Sequence, residues 1–165
     1  MTETVGISGS GRSAEEEFIR LTGAEPSPTA AQGDAILDGT PIEIKRATSV
    51  TSNQVRAVKF IPLVVYYVPS DDWYVVPASA VVALVSRKNR GQHTENPFES
   101  ATLSVSNLGD FRVADPGALR EATLAAIAEG ARHPELRAAM GEVLQASKDL
   151  AVASIAKVRA LVEKM

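Results

Sequence analysis

The feature that most constrains this fold is a two-residue turn signal, Asp38-Gly39, between two runs that alternate apolar and polar residues. Asp-Gly between alternating runs is typical of a tight β-hairpin. If these residues form the turn, the opposed pairs are Leu37 with Thr40, Ala35 with Ile42, and Asp34 with Glu43. Because side chains alternate along a strand, Ala35, Leu37, Ile42 and Ile44 then form the core face. Asp34, Glu43 and Lys45 fall on the other face.

Pro41 lies within this hairpin and lacks the N–H that a ladder needs. It therefore predicts an edge strand, a bulge or a slightly longer loop at that point. The register that brings Asp34 and Glu43 together depends on how the chain accommodates this proline.

The opposed carboxylates of Asp34 and Glu43 have a chemical implication. Like charges directly opposite each other cost stability unless something positive sits between them. Oxygen ligands of this kind suit Mg²⁺, and Lys45 could orient or deprotonate a metal-bound water, or stabilise charge on a phosphate. Such a set is suited to phosphodiester hydrolysis. The alternative is a surface cluster of charged side chains without catalytic function.

The bulk composition sets the class of protein. A chain of 165 residues, 45% hydrophobic and 22% charged, is typical of one compact globular domain. It has no cysteine, which excludes disulfides and thiolate metal sites. No segment resembles a signal peptide or a membrane helix, so we expect a cytoplasmic protein that does not enter membranes.

The charge distribution bears on nucleic-acid binding. The net charge of −3 argues mildly against a DNA-binding protein. Basic residues nevertheless predominate locally, between Thr40 and Phe60 and again between Ser86 and Thr94. These two segments could face a phosphate backbone.

The remaining pattern predicts an α/β chain. A first helix should begin at Ser13, as the N-cap of a capping box with Glu16, and end at Gly23. Further predictions are a short helix over 51–60, strands over 63–68 and 73–76, a helix or strand over 78–85, and a long loop over 86–110 with a strand near 102–105. Two helices should follow, one from Asp115 to about Glu129 and one from His133 to the C-terminus.

The Asp34…Glu43-Ile44-Lys45 arrangement resembles the signature of the PD-(D/E)XK nuclease superfamily. The resemblance implies that Asp34, Glu43 and the carbonyl of Ile44 bind Mg²⁺, for which Mn²⁺ can substitute, and that Lys45 is catalytic. Gly33 stands where the superfamily's name-giving proline would be. The implied fold is a restriction-endonuclease-like αβββαβ core with a mixed central sheet, here followed by a C-terminal helical pair.

Two further segments are similar to archaeal Holliday-junction resolvases. Residues 11–21 resemble their opening helix, which implies that Glu15 contributes to the metal site. Glu16 and Glu17 are adjacent to it and one of them could face the site instead; the alternative for all three is a favourable charge in the first turn of the helix. The strand led by Pro62 and the strand at Trp73 resemble their central strands. Relatives often use a Gln or Tyr from the next helix at the site, which suggests Gln54; a solvent-facing amide is the alternative.

Candidate DNA contacts fall in two segments. After the catalytic strand, the candidates are Arg46, Ser49, Asn53 and Arg56, although Ser49 and Asn53 could instead cap a helix. The second segment could read base edges, because Arg, Asn and Gln bind guanine and adenine bidentately. Its members are Arg87, Lys88, Asn89, Arg90, Gln92 and His93. A polar surface loop is the alternative.

The sequence thus predicts a nuclease core over residues 1–110, including the DNA-contacting loop, and a helical extension over 111–165 packed in the same unit. The favoured function is a restriction-type DNA endonuclease cutting duplex DNA at a short sequence. The alternatives are a Holliday-junction resolvase or other structure-selective nuclease, and an inactive nuclease fold that only binds DNA. Cutting both strands favours a homodimer, with the C-terminal helices as the leading interface.

Overall fold

A computed structural model describes residues 11–29, 32–146 and 148–165. The N-terminal half contains one helix and six strands, namely α1 (Gly11–Thr22), β1 (Glu25–Pro26), β2 (Ala35–Leu37), β3 (Thr40–Ala47), β4 (Thr51–Val55), β5 (Leu63–Tyr67) and β6 (Asp72–Val76). The rest contains α2 (Ala78–Ser86), β7 (Ala101–Ser104), α3 (Leu119–Gly130), α4 (Pro134–Gln145) and α5 (Lys148–Glu163). The expected α/β class with C-terminal helices is confirmed.

The central sheet has five strands in the order β1-β2-β3-β5-β6. The predicted hairpin register is confirmed, because Ala35 pairs with Ile42 and Leu37 with Thr40. Pro41 lies opposite Ile36 without breaking this register. Strands β3 and β5 are parallel, whereas the other neighbours are antiparallel, so the sheet is mixed as expected.

The two sheet faces carry separate apolar cores. One core joins Ile42 and Ile44 of β3 to Phe18 of α1 and Leu119 of α3. The other core joins β5, β6, α2, α4 and α5, and includes the fully buried Met140. Burying one large aliphatic side chain contributes about 1.5–3 kcal/mol, so the two cores fix the sheet between the helices.

The prediction of a helix over 51–60 is wrong. Thr51–Val55 forms β4, which pairs antiparallel with β7, and a 3₁₀ turn, Ala57–Lys59, leads on towards β5. The cause is a long-range pairing, since Ser52 lies opposite Leu103 and both are buried. The second helix of the expected αβββαβ order is therefore replaced by a strand and a turn.

The first helix ends as predicted but begins earlier. Gly23 follows α1 with φ +73°, and its N–H donates to the carbonyl of Ile19, as a glycine stop requires. Ser13 lies inside α1, which already includes Gly11, so it is not the N-cap.

The prediction of one long helix from His133 to the C-terminus is also wrong. Helix α4 ends at Gln145, Ala146 is extended, and α5 begins at Lys148. The chain turns back there because both helices bury apolar residues in the same core, including Val143 and Val158. The 111–165 segment thus completes the unit that contains the sheet. Within the described ranges, no helix is long and apolar enough to span a membrane.

Candidate functional site

Four charged side chains meet beside β3, just before β2 begins: Asp34, Glu43, Lys45 and Lys59. The Lys45 Nζ lies 3.1 Å from Glu43 Oε1, and the Lys59 Nζ lies 3.0 Å from Glu43 Oε2. All three other groups act electrostatically on Asp34. The sequence prediction that Asp34, Glu43 and Lys45 share one site agrees with this geometry.

Alternation along β3 places Glu43 and Lys45 on the same face of the sheet. Their neighbours Ile42 and Ile44 enter the opposite core. Glu43 is only 9% exposed. A carboxylate this buried is tolerated when it is paired and hydrogen-bonded, which the two lysines achieve.

Asp34 is held by the backbone of β3. Its N–H donates to the carbonyl of Ile42 at 2.8 Å, and its Oδ2 accepts from the N–H of Ile44 at 2.7 Å. Partial burial raises the pKa of Asp34, and Glu43 adds to that rise, whereas the Ile44 amide and the two lysines oppose it. Asp34 therefore keeps its proton to a higher pH than an ordinary aspartate, and a carboxyl group can ligate a cation only after losing that proton.

The backbone at position 33, directly before Asp34, requires glycine and excludes proline or any larger residue. Its φ is +85°, and a Cβ there would lie 2.9 Å from the carbonyl oxygen of Ile42. Only glycine allows both this backbone conformation and this approach to β3. Gly33 thereby brings the Asp34 carboxylate to the end of the ladder.

The carbonyl of Ile44 points to the same edge as Asp34. The N–H of Glu43 donates to Pro62 on the β5 side, so Ile44, the next residue, directs its backbone groups the other way. Its N–H donates to the Asp34 carboxylate just before the start of β2. This edge thus carries the carbonyl and carboxylate oxygens that the sequence assigned to a metal.

These donors fit Mg²⁺, which takes one or two carboxylates and fills its remaining positions with water and phosphate oxygens. Asp34, Glu43 and the Ile44 carbonyl supply hard oxygen atoms and no sulfur or imidazole. Among the described side chains, no group of three His, Cys, Asp or Glu is placed to hold a metal ion. A cation held by Asp34, Glu43 and the Ile44 carbonyl would fill its remaining positions with oxygens from water or a bound ligand.

Glu15 does not join Asp34 and Glu43 in a three-carboxylate group. It is half-buried on α1, between the core residue Ala14 and the exposed Glu16. Its neighbour Glu17 forms an ion pair with Arg20 on the same helix. A role for Glu15 near the site stays a prediction.

Lys59 is the site residue that sequence reasoning missed. It follows β4 on the 3₁₀ turn, and its side chain is 18% exposed. The turn is fixed by Val58, whose N–H donates to the Phe98 carbonyl, and by Phe60, which packs under the Arg137 guanidinium of α4. No sequence pattern signals this, because the turn is positioned by contacts with distant segments.

Gln54 does not lie in a helix. It is exposed on β4 with φ +54°, and its N–H donates to Gln92 Oε1 at 2.7 Å. The Gln92 oxygen also accepts from Thr102. Gln92 therefore joins the polar loop to the β4–β7 sheet. Its side-chain oxygen makes these two contacts, although the sequence predicts that it binds a base.

The other candidates in the first segment are dispersed. Arg46 lies beside Tyr66 on the opposite sheet face from Lys45, and its Nε is buried without a hydrogen-bond partner in the structure. Arg56 is exposed and donates to the Glu99 carbonyl. Ser49 is exposed in the bend after β3, and Asn53 is exposed on β4, so neither caps a helix.

The second segment is partly exposed and partly used for packing. Arg87, Asn89, Arg90 and His93 are exposed, whereas Lys88 is half-buried. The carbonyls of Ser86 and Lys88 accept from the Arg159 guanidinium of α5. Contacts to Gln54, Arg56 and Val58 hold the following residues against the strand and turn that lead to Lys59. The polar loop and the charged site are therefore structurally connected.

Comparisons with known protein families, with curated proteins and with solved structures find no match for this chain.

Proposed function

We propose that this chain is a Mg²⁺-dependent DNA endonuclease that hydrolyses phosphodiester bonds. The observation that carries the proposal is the shared site of Glu43, Lys45 and Asp34, with Asp34 bonded to the Ile44 amide at 2.7 Å. Two carboxylates and an ammonium group, fixed at a strand end, are the parts such a reaction needs.

The residues have distinct roles in this proposal. Asp34, Glu43 and the Ile44 carbonyl would hold Mg²⁺ or Mn²⁺, which supplies a more acidic water and charge stabilisation at the phosphate. Lys45 lies beside Glu43 and so could orient the attacking water or accept a proton from it, or stabilise the negative charge on the phosphate. Gly33 and the Ile44 amide keep Asp34 aligned.

The favoured substrate is duplex DNA cut at a short sequence, in the manner of a restriction enzyme. Arg87, Asn89 and Arg90 are exposed and carry side chains that read base edges or bind phosphates. The loop that follows them contacts the segment carrying Lys59. We therefore assign DNA recognition to this loop and phosphodiester hydrolysis to the charged cluster beside β3. A cytoplasmic location is part of the same proposal.

The test incubates the purified chain and Mg²⁺ with plasmid, long linear duplex and a four-way junction. We expect discrete fragments from the plasmid and the linear duplex. Symmetric nicks in the junction alone would favour the resolvase alternative. No cleavage with either Mg²⁺ or Mn²⁺, together with DNA binding, would favour the inactive module and contradict the proposal.

The variant Lys45→Ala tests the catalytic assignment. We expect cleavage to fall by about 100-fold or more, because a group acting in proton transfer contributes on that order. DNA binding should change little. Lys157→Ala is a matched control, since Lys157 forms an exposed ion pair with Glu142 on α4. Full activity in Lys45→Ala would refute the role of Lys45.

A further inference from the structure

Both oxygens of Glu43 are occupied by lysines, one from β3 and one from the 3₁₀ turn. A cation that uses Glu43 as a ligand therefore competes with ammonium groups that already lie 3.1 and 3.0 Å from its two oxygens. The contact is well shielded, because Glu43 is 9% exposed and the Lys59 side chain 18%. Shielded charges interact more strongly than surface pairs, so the competition has a measurable size.

The charges of the cluster add up to a simple balance. Ionised Asp34 and Glu43 carry two negative charges, and Lys45 and Lys59 carry two positive charges, which leaves the cluster neutral. A bound divalent cation would bring two uncompensated positive charges to this edge. Phosphate groups of a nucleic acid are the chemical complement of that excess.

The two lysines differ in how they are attached. Lys45 follows Glu43 by two residues on one strand, so the sheet keeps the two side chains on the same face. Lys59 comes from a separate turn that is held by Phe98 and Arg137. The proposed function keeps Lys45 beside Glu43 to act on the attacking water, so Lys59, which comes from another segment, is the lysine that we expect to be displaced.

We propose that Lys59 is a phosphate-binding residue that neutralises Glu43 in the cation-free protein and turns to the DNA backbone when Glu43 takes a divalent cation. This inference rests on the proposed function and adds a residue to its site. Loading of the cation and binding of a phosphate at the cleavage position would thereby be coupled.

The first test measures Mn²⁺ binding by calorimetry without DNA. Removing the competing ammonium group in Lys59→Met should tighten binding by roughly fivefold or more, the usual lower range for such couplings. Lys59→Arg keeps the charge and should stay near wild type. Lys157→Met is the matched control and should change nothing. Unchanged or weaker Mn²⁺ binding in Lys59→Met would overturn the inference. Lys59→Gln should behave as Lys59→Met and replaces it if that variant does not fold.

The second test measures duplex binding against salt concentration, with Ca²⁺ in place of Mg²⁺. Each phosphate contact contributes about 0.9 to the slope of log affinity against log salt, so Lys59→Met should lose about one unit of slope. An unchanged slope would contradict the phosphate contact. If the wild-type protein binds neither Mn²⁺ nor DNA, the proposed function itself fails. Wild-type binding that Lys59→Met leaves unaltered overturns only the role of Lys59.

Discussion

At the scale of single residues, the position of the Asp34 carboxylate depends on the glycine before it as well as on its charged neighbours. Gly33 and Gly39 both have positive φ, but their surroundings differ. Gly39 sits in the open turn, where an added methyl group would meet no other atom within 4 Å, whereas Gly33 faces the backbone of Ile42. Substitution at the two positions therefore separates backbone strain from steric contact.

We expect Gly39→Ala to lower the free energy of unfolding by about 1 kcal/mol, from the left-handed conformation alone. Gly33→Ala should cost about 2–4 kcal/mol, because the added Cβ also pushes against Ile42. Urea unfolding measures both values, and Mn²⁺ calorimetry should show weaker binding only for Gly33→Ala. Equal losses of stability and unchanged binding in the two variants would contradict a positioning role for Gly33.

At the scale of elements, the helices are linked by polar contacts as well as by the cores. The Ser79 hydroxyl at the start of α2 donates to Glu129 near the end of α3, and Glu129 also bonds His133 Nε2 at 2.7 Å. Ser79 contacts the carboxylate and not the imidazole, so these three residues lack the order of a nucleophilic triad. Their role is to join two helices.

Glu129→Ala should lower the free energy of unfolding by about 1–3 kcal/mol, because the buried Ser79 hydroxyl loses its partner. Glu121→Ala, an exposed change on the same helix, should stay within about 0.5 kcal/mol of wild type. Denaturant unfolding of both variants checks this. Equal stability of the two variants would show that the Ser79–Glu129 hydrogen bond does not stabilise the fold.

The elements also show what the sequence could and could not predict. Local chemistry determines the β2–β3 hairpin, since Asp38-Gly39 and the alternating apolar residues agree on one register, which the structure has. Local chemistry also places Glu43 beside Lys45. It does not determine β4, because Thr51–Val55 becomes a strand only by pairing with a segment far along the chain. Lys59 was missed for the same reason, since its turn is held by Phe98 and Arg137.

At the scale of the whole molecule, the C-terminal helices are used mainly within the chain. Leu136, Met140, Val143 and Val158, all on α4 or α5, are buried in the core. Leu144 and Val152 are exposed, and Val152 keeps 70% of its surface accessible to solvent. The predicted homodimer therefore has a smaller apolar surface on these helices than the sequence alone indicated.

The dimer stays a prediction with a direct measurement. Light scattering should give twice the mass of one chain, and Val152→Asp should weaken association by about tenfold or more if this surface is the interface. Val50→Asp is the control, because Val50 is similarly exposed on the bend before β4. A monomer that still makes double-strand breaks would disprove the prediction.

The position of the charged cluster along the chain has a consequence for how such a protein can diversify. All four side chains come from the stretch between Asp34 and Lys59, whereas the exposed basic residues from Arg87 onward belong to a later segment. Substitutions at Arg87, Asn89 or Arg90 leave the hydrogen bonds of the earlier stretch in place. Gln92 is different, since it bonds to Gln54 and a change there reaches β4. Substitutions at the exposed loop residues can therefore change what this loop contacts while the charged cluster is inherited unchanged.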